Sequence, residues 1–408
     1  MKSTKATLLV LSIIALLALT MFLTGCSLFQ SSTTTVTAPS TTQSTTATTQ
    51  APGTSGPPDT GAAMFRANPE HTGIYPSGGP MQASGVLWKF QTGDTKIDTN
   101  NGLPWSCPAI YNGVVYFGAA DGYVYAVDVQ NGQQKWNFKT GKSVWSSPAV
   151  SDGTLFVGSD DAYLYALDLQ GGTEKWKFKT LYGIVSSPVI ANGIVYVGSG
   201  DGYLYAVDAQ TGTQKWKVDG GSAVNSSPAV FEGTVYFGGG DKYVYAVDAQ
   251  TGKQKWALPT GAVVWSSPAV SDGTVYVGSY DTFLRAVDAE TGKEKWNFKT
   301  GDGIASSPAI ANGTVFVGSN DTYLYAVDSQ TGKEKWKLQT GGVVWCSPVI
   351  SDNLVYIGSA DSYIYAVDLQ TGQEKWKFKL DGGISGSLAV AGGVVYTGSL
   401  DRNLYAVK

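Results

Sequence analysis

Residues Ala286–Trp296 read AVDAETGKEKW, and the fold is decided by how often that stretch recurs. Near-copies stand at 246–256 (AVDAQTGKQKW), 326–336 (AVDSQTGKEKW) and 366–376 (AVDLQTGQEKW), in a register of forty residues. The complete motif occurs seven times, ending at Trp136, Trp176, Trp216, Trp256, Trp296, Trp336 and Trp376. An eighth begins at Ala406 and stops at Lys408. A fixed period of this length marks an architecture built from one supersecondary unit, each copy burying a face against its neighbours. The 408 residues are therefore organised by the repeat, not by domains counted from length.

Each unit holds four short strand signals separated by turns: SPAV, TVYVGS, FLRAVD and EKWNFKT in the copy at 267–300. The second and third are apolar almost throughout, which implies cover on both faces. The fourth alternates Trp and Phe with Lys, as an outer strand with one wet side, and its lysines discourage edge-to-edge pairing. The abundance of Tyr, Trp, Gly and Val agrees with mostly strand. The predicted fold is all-β: an eight-bladed β-propeller of four-stranded antiparallel blades. First-strand signals number eight, yet the last unit lacks its outer strand. VLWKFQTG at 86–93, with Trp88 as the eighth tryptophan, is predicted to pair with that unit and close the ring.

Residues 1–26, MKSTKATLLVLSIIALLALTMFLTGC, combine two lysines, an apolar run and small residues, the layout of a secretory signal. A transmembrane anchor is the alternative that the length of the run allows. The ending LTGC resembles the lipobox of bacterial lipoproteins, which implies cleavage before Cys26 and a diacylglycerol on its thiol. Residues 27–61, rich in Ser, Thr and Pro and almost uncharged, read as a disordered tether. The propeller then occupies 62–408. Either reading of the leader places it outside the cytoplasm, and the lipobox resemblance implies attachment to a membrane by a lipid anchor.

The net charge is −4 and no basic stripe is evident, which argues against nucleic acid. One histidine, His71, and three cysteines are too few for a zinc set. A Ser-His-Asp catalyst would need His71, which lies in an irregular segment. Cys107 and Cys346 fall at adjacent motif positions in units one and seven, so their side chains are expected to point oppositely rather than pair. The one insertion, DTKIDTNNGL at 94–103, is a residue short of a calcium-loop spacing. No metal ligand and no catalytic residue is assigned. The recurring aspartates, Asp121 to Asp401 every forty residues, read as turn residues. Arg285, where seven sister units have tyrosine, has no account at this level.

The pattern A-x-D-x-x-T-G-x-x-x-W resembles the tryptophan-docking motif of eight-bladed propellers of the pyrroloquinoline quinone (PQQ) repeat type. The resemblance covers 64–408, including FRANPEHTGIYP at 65–76. It implies that each outer-strand Trp, from Trp88 to Trp376, lies between the motif's alanine and the glycine turn of a neighbouring blade. Ala286, Asp288, Thr291, Gly292 and Trp296 are then expected to form one docking set, with turn bonds altered where Asn131 and Gly171 replace Thr. In this reading the motif is a structural girdle. Quinoprotein dehydrogenases of this fold carry a vicinal cysteine disulfide, a calcium site and long inserted loops. This chain has no Cys-Cys pair and no such loops, so neither enzymatic activity nor bound PQQ is expected.

The chain is also similar in plan to propeller lipoproteins of the outer-membrane β-barrel assembly machinery. That resemblance implies a non-enzymatic, monomeric scaffold binding other envelope proteins. The alternative is a small-ligand or glycan receptor at the channel rim. The residues preceding the first strands vary where their surroundings do not, and Trp105, Trp145, Asn225, Trp265 and Trp345 are the rim candidates. Their plainer role is to fill the channel top and pack on one another.

Overall fold

In the computed structural model, residues 64–76, 78–93 and 106–408 are described. The expected signal segment with Cys26, the tether at 27–61, the insertion at 94–103 and Trp105 lie outside the described residues.

The described chain forms eight four-stranded antiparallel sheets and, among the described residues, no helix. Blade 5 shows how the sequence does this. Its inner strand is Ala269–Ser271, followed by Thr274–Gly278, Phe283–Asp288 and the outer strand Glu294–Lys299. Ser271 pairs with Thr274, leaving only Asp272 and Gly273 to turn the chain. Both have positive φ (50° and 64°), the backbone of a two-residue hairpin whose twist matches that of its strands. The second strand is buried throughout and the outer strand alternates, as its lysines predict. Ala286 stands opposite Trp296, and the register slips just beyond them. That bulge recurs in all eight blades, where it turns each Trp toward the next blade.

Ring closure follows the expected route. Val86–Gln91 pairs antiparallel with Asn403–Val407, Trp88 opposite Ala406, and completes the sheet that holds Val394–Gly398 and Ala389–Ala391. Inner strands touch those of both neighbouring blades, and blade 8 meets blade 1 in the same way. The closing strand gives the last blade the same outer edge as its sisters, with Lys89 exposed along it.

Inside the ring runs the lead-in, residues 64–76. Its carbonyls accept backbone N–H bonds from successive inner strands: Pro69 from Val230, Glu70 from Val270, Thr72 from Ile310 and Gly73 from Ile350. Met64, Phe65, Arg66 and His71 are buried there. The segment fills the axis that eight inner strands leave open. It then passes Gly78, which accepts from Gly393, and becomes the closing strand.

Candidate functional site

Three constructions occupy the places that sequence reading singled out: the tryptophan corners, the lead-in on the axis, and the mouth above it.

At a corner, the indole N–H of Trp256 donates to Ala289 O of the next blade at 2.9 Å, and Tyr236 donates to the same oxygen at 3.1 Å. The Trp256 ring covers Gly292, where an added Cβ would lie 2.7 Å from the indole; φ of +71° also favours glycine. The expected docking set is thus shared between two blades. Gly292 receives Trp256, while Trp296 donates to Ser329 and covers Gly332. The bulge beside Ala286 turns Trp296 away from its own turn, which is why the contiguous motif is not a contiguous site. The corners of Trp88, Trp136, Trp176, Trp216 and Trp336 repeat the indole bond and the glycine contact, with Phe156 and Phe316 in place of the tyrosine beside Trp176 and Trp336. Trp376 differs, because the eighth unit has no turn to offer: it donates to Pro80 O at 3.0 Å, and Tyr356 donates to the same oxygen. Asp288 holds its turn by accepting from the Thr291 amide and hydroxyl. Gly171 keeps only the amide bond to Asp168, and Asn131 instead accepts from Gln133 N.

The turn aspartates also tie blades together. Asp161 accepts from Tyr163 N, from the Tyr165 hydroxyl and from Gly141 N of the preceding blade. Arg285 now has an account. It replaces the phenol donor with a bidentate pair to Asp281 (2.9 and 2.6 Å) and reaches Glu294 as well. Burial opposes the Asp281 charge, but the Arg285 partner leads the effects that hold its carboxyl below the usual range.

On the axis, Arg66 is fully buried with no carboxylate partner among the described residues. Its Nη1 and Nη2 donate to the carbonyls of Pro348 and Pro308, and its Nε has no partner. Desolvation lowers its pKa to about 10, so it stays cationic at neutral pH. His71 donates from Nδ1 to Pro268 O at 3.2 Å and sits edge-on to Phe65. Burial first, and the Arg66 charge second, depress it to about 3. A neutral imidazole bonded to a proline carbonyl has no nucleophile to activate. The Cys107 thiol, pushed up to about 12 by burial, donates to Leu388 O across the closing joint, and Cys346 donates to Gly386 O. Both thiols are free.

The mouth is a funnel above this plug. Phe65 forms its floor and Trp145, Val185, Asn225, Trp265, Ala305 and Trp345 its walls, around a cavity of about 70 Å³. Between floor and walls runs a ring of serines: Ser147, Ser187, Ser227, Ser267, Ser307, Ser347 and Ser387. Each Oγ accepts the backbone N–H of the matching residue one blade back, from Cys107 N to Ser147 through Ser347 N to Ser387. The Trp145 indole is bonded to Asp160, and Trp265 meets Tyr280 edge-on while staying 38% exposed. The axis below them is taken by the lead-in. Sequence reading missed the serine ring, although the paired serines before the first-strand proline in five of the units were its visible signal.

No cluster of three or more His, Cys, Asp or Glu suited to a metal occurs among the described residues. The cavity of about 70 Å³ at the mouth falls short of the roughly 300–1,000 Å³ of cofactor pockets.

A family model described as "Outer membrane protein assembly factor BamB" matches residues 120–263, 243–343 and 338–408. No curated protein matches. Among solved structures, BamB from Moraxella catarrhalis aligns with a TM-score of 0.65 and 19% identity, over 79% of this chain and 100% of that one. The computationally designed Ika8 protein gives 0.69 and 20%, over 81% and 99%. Quinohemoprotein alcohol dehydrogenase from Comamonas testosteroni gives 0.71 and 16%, over 84% and 80%. At such identities these likenesses speak for the fold alone.

Proposed function

The chain belongs to the family described as outer membrane protein assembly factor BamB, and from that premise we propose that it is a non-enzymatic, extracytoplasmic scaffold that binds other envelope proteins. Cys26 would anchor it to a membrane by lipid, with residues 27–61 as a spacer. One observation carries the reading: the axis of the ring is filled by the chain's own Phe65, Arg66 and His71, above which a cavity of only about 70 Å³ remains. What remains for function is surface. The face bearing the rim exposes Leu181 (77%) and Tyr182 (68%) in the loop from blade 2 to blade 3, with Trp265 on the same side. Apolar side chains exposed this far favour a protein partner.

A photo-crosslinking amino acid at position 181 or 182, in living cells, is expected to give discrete adducts with envelope proteins. The same group at Lys177 on the outer strand is expected to give none. Adducts at neither face, or dye reduction by the purified protein after loading with PQQ and calcium, would end this reading. The alternative receptor reading draws on the open Trp265, although a cavity of about 70 Å³ is too small for a whole sugar ring with its stacking partner.

A further inference from the structure

The mouth has a chemical bias that the scaffold reading leaves unused. Each of the seven ring serines is more than nine-tenths buried and uses its Oγ as an acceptor. None of the seven donates its hydroxyl hydrogen to a recorded acceptor among the described residues. A serine carries one O–H donor, so a single small cavity is lined by seven hydroxyls with a hydrogen still to donate. Buried donors without acceptors cost free energy, and a ligand that supplies acceptors recovers it. At the rim, Ser385 Oγ is buried and has no partner.

Charge points the same way. Among the described residues no carboxylate lines the cavity, and Asp160 beside it is engaged by the Trp145 indole. The floor residue Phe65 is followed by Arg66, a buried guanidinium held by the carbonyls of Pro308 and Pro348, which directly follow two ring serines. A cation with no carboxylate partner among the described residues makes the axis positive, and burial keeps salt from screening it. A water occupies about 30 Å³ in the liquid, so a cavity of about 70 Å³ admits a carboxylate and little more. An occupant this narrow on a closed axis must enter end-on, which favours a chain terminus over a loop.

We propose that the mouth is a socket for the C-terminal carboxylate of a partner polypeptide, with the serine ring donating to its oxygens and Trp265, Val185 and Ala305 holding the residue behind it. This rests on the scaffold reading and names the chemistry of its partner. The test is calorimetric titration of the purified mature chain with three N-acetylated apolar tetrapeptides: one with a free carboxyl terminus, its C-terminal amide, and an amide carrying one internal glutamate. The free terminus is expected to bind at least about tenfold more tightly than either amide. Asn225→Asp, an isosteric change that sets an anion in the wall, is expected to weaken the free terminus about tenfold at an unchanged melting temperature, and Asn225→Lys to leave it no weaker. Equal binding of carboxylate and amide, no binding by any peptide at millimolar concentration, or indifference to Asn225→Asp would each overturn the socket. Binding of the internal glutamate as tightly as the free terminus would overturn the assignment to a chain end. Crosslinks from positions 181 and 182 that persist while the peptides fail would leave the scaffold standing without its socket. Peptide binding without such crosslinks would leave the socket and remove the scaffold.

Discussion

A regular joint and the closing seam reach the same geometry by different routes. Between blades 4 and 5, Trp256 and its acceptor Ala289 are 33 residues apart, and both belong to the repeat. Between blades 7 and 8, Trp376 finds its acceptor at Pro80, 296 residues away and outside the repeat. In each case one carbonyl accepts an indole and a phenol together, Trp256 with Tyr236 and Trp376 with Tyr356. Gly79 even has to be small, since a Cβ there would collide with the Tyr356 hydroxyl. A local rule applied repeatedly builds joints but cannot finish a ring. The last corner and the axis need a piece written only once.

Loop-closure entropy shows why one such piece suffices. Joining ends about 300 residues apart instead of about 33 costs only about 2 kcal/mol more. Truncating a buried Trp costs about 3–5 kcal/mol, so a single well-made corner can outweigh the longer loop. Trp376→Ala and Trp256→Ala are therefore expected to destabilise equally, each by about 3–5 kcal/mol in denaturant unfolding. A loss at Trp376 less than half that at Trp256 would mean that Pro80 is a poor copy of the missing turn.

That comparison also marks how far the sequence could be read. The seven corners, the blade count and the closing strand were legible because period and alternation are local, and the same residues recur at forty. The partner of each tryptophan was only partly legible. A bulge beside Ala286 passes Trp296 to Gly332, and bulges leave little trace in composition. The lead-in was recognisable by resemblance but not in its role. FRANPEHTGIYP has no second copy from which to infer a face, and its Arg66, Ala67 and His71 adopt positive φ, which pattern does not announce. Arg285 looked unexplained until Asp281 was found beside it.

The two regions should also part company in acid. Folded His71 titrates at about 3, because burial strips its hydration and Arg66 adds repulsion, whereas the unfolded imidazole titrates near 6.5. Between those values the unfolded chain binds more protons. The stability His71 contributes is thus fully present above about pH 6.5 and falls as pH drops toward 3, by about 2 kcal/mol at pH 5. In the repeats, the Thr291 and Thr331 hydroxyls lead the bonds that hold Asp288 and Asp328 at about 2, below the ordinary carboxylate. Their contribution is present above about pH 4 and is lost only below it. Unfolding followed from pH 7.5 to 4.5 is expected to slope for the parent chain and to flatten in His71→Gln. A slope that survives His71→Gln would place the acid-sensitive element in the repeats and not in the lead-in.

The smallest expected effect tests whether the repeats are improvable where they depart from their own rule. Asp168 receives the amides of Gln170 and Gly171 but lacks the hydroxyl bond that Thr211, Thr251, Thr331 and Thr371 supply in sister blades. Gly171 does not need to be glycine. It is absent from the positive-φ residues, and a Cβ there would meet nothing closer than Asp168 Oδ1 at 3.9 Å. Gly171→Thr should therefore add the missing donor without strain and restrict the unfolded chain as well. A rise in melting temperature of about 1–2 °C is expected, small because the turn is exposed and the ring is large. The neighbouring Gly172 is the opposite case, with φ of +68° and the Trp136 ring over it, and Gly172→Thr should lower the melting temperature by several times that amount. A gain at 171 beside a loss at 172 would show that the repeat's threonine and glycine do separate jobs, the first closing the turn and the second receiving the neighbouring blade. Equal losses at both would mean that the turn in blade 2 has settled into a conformation of its own.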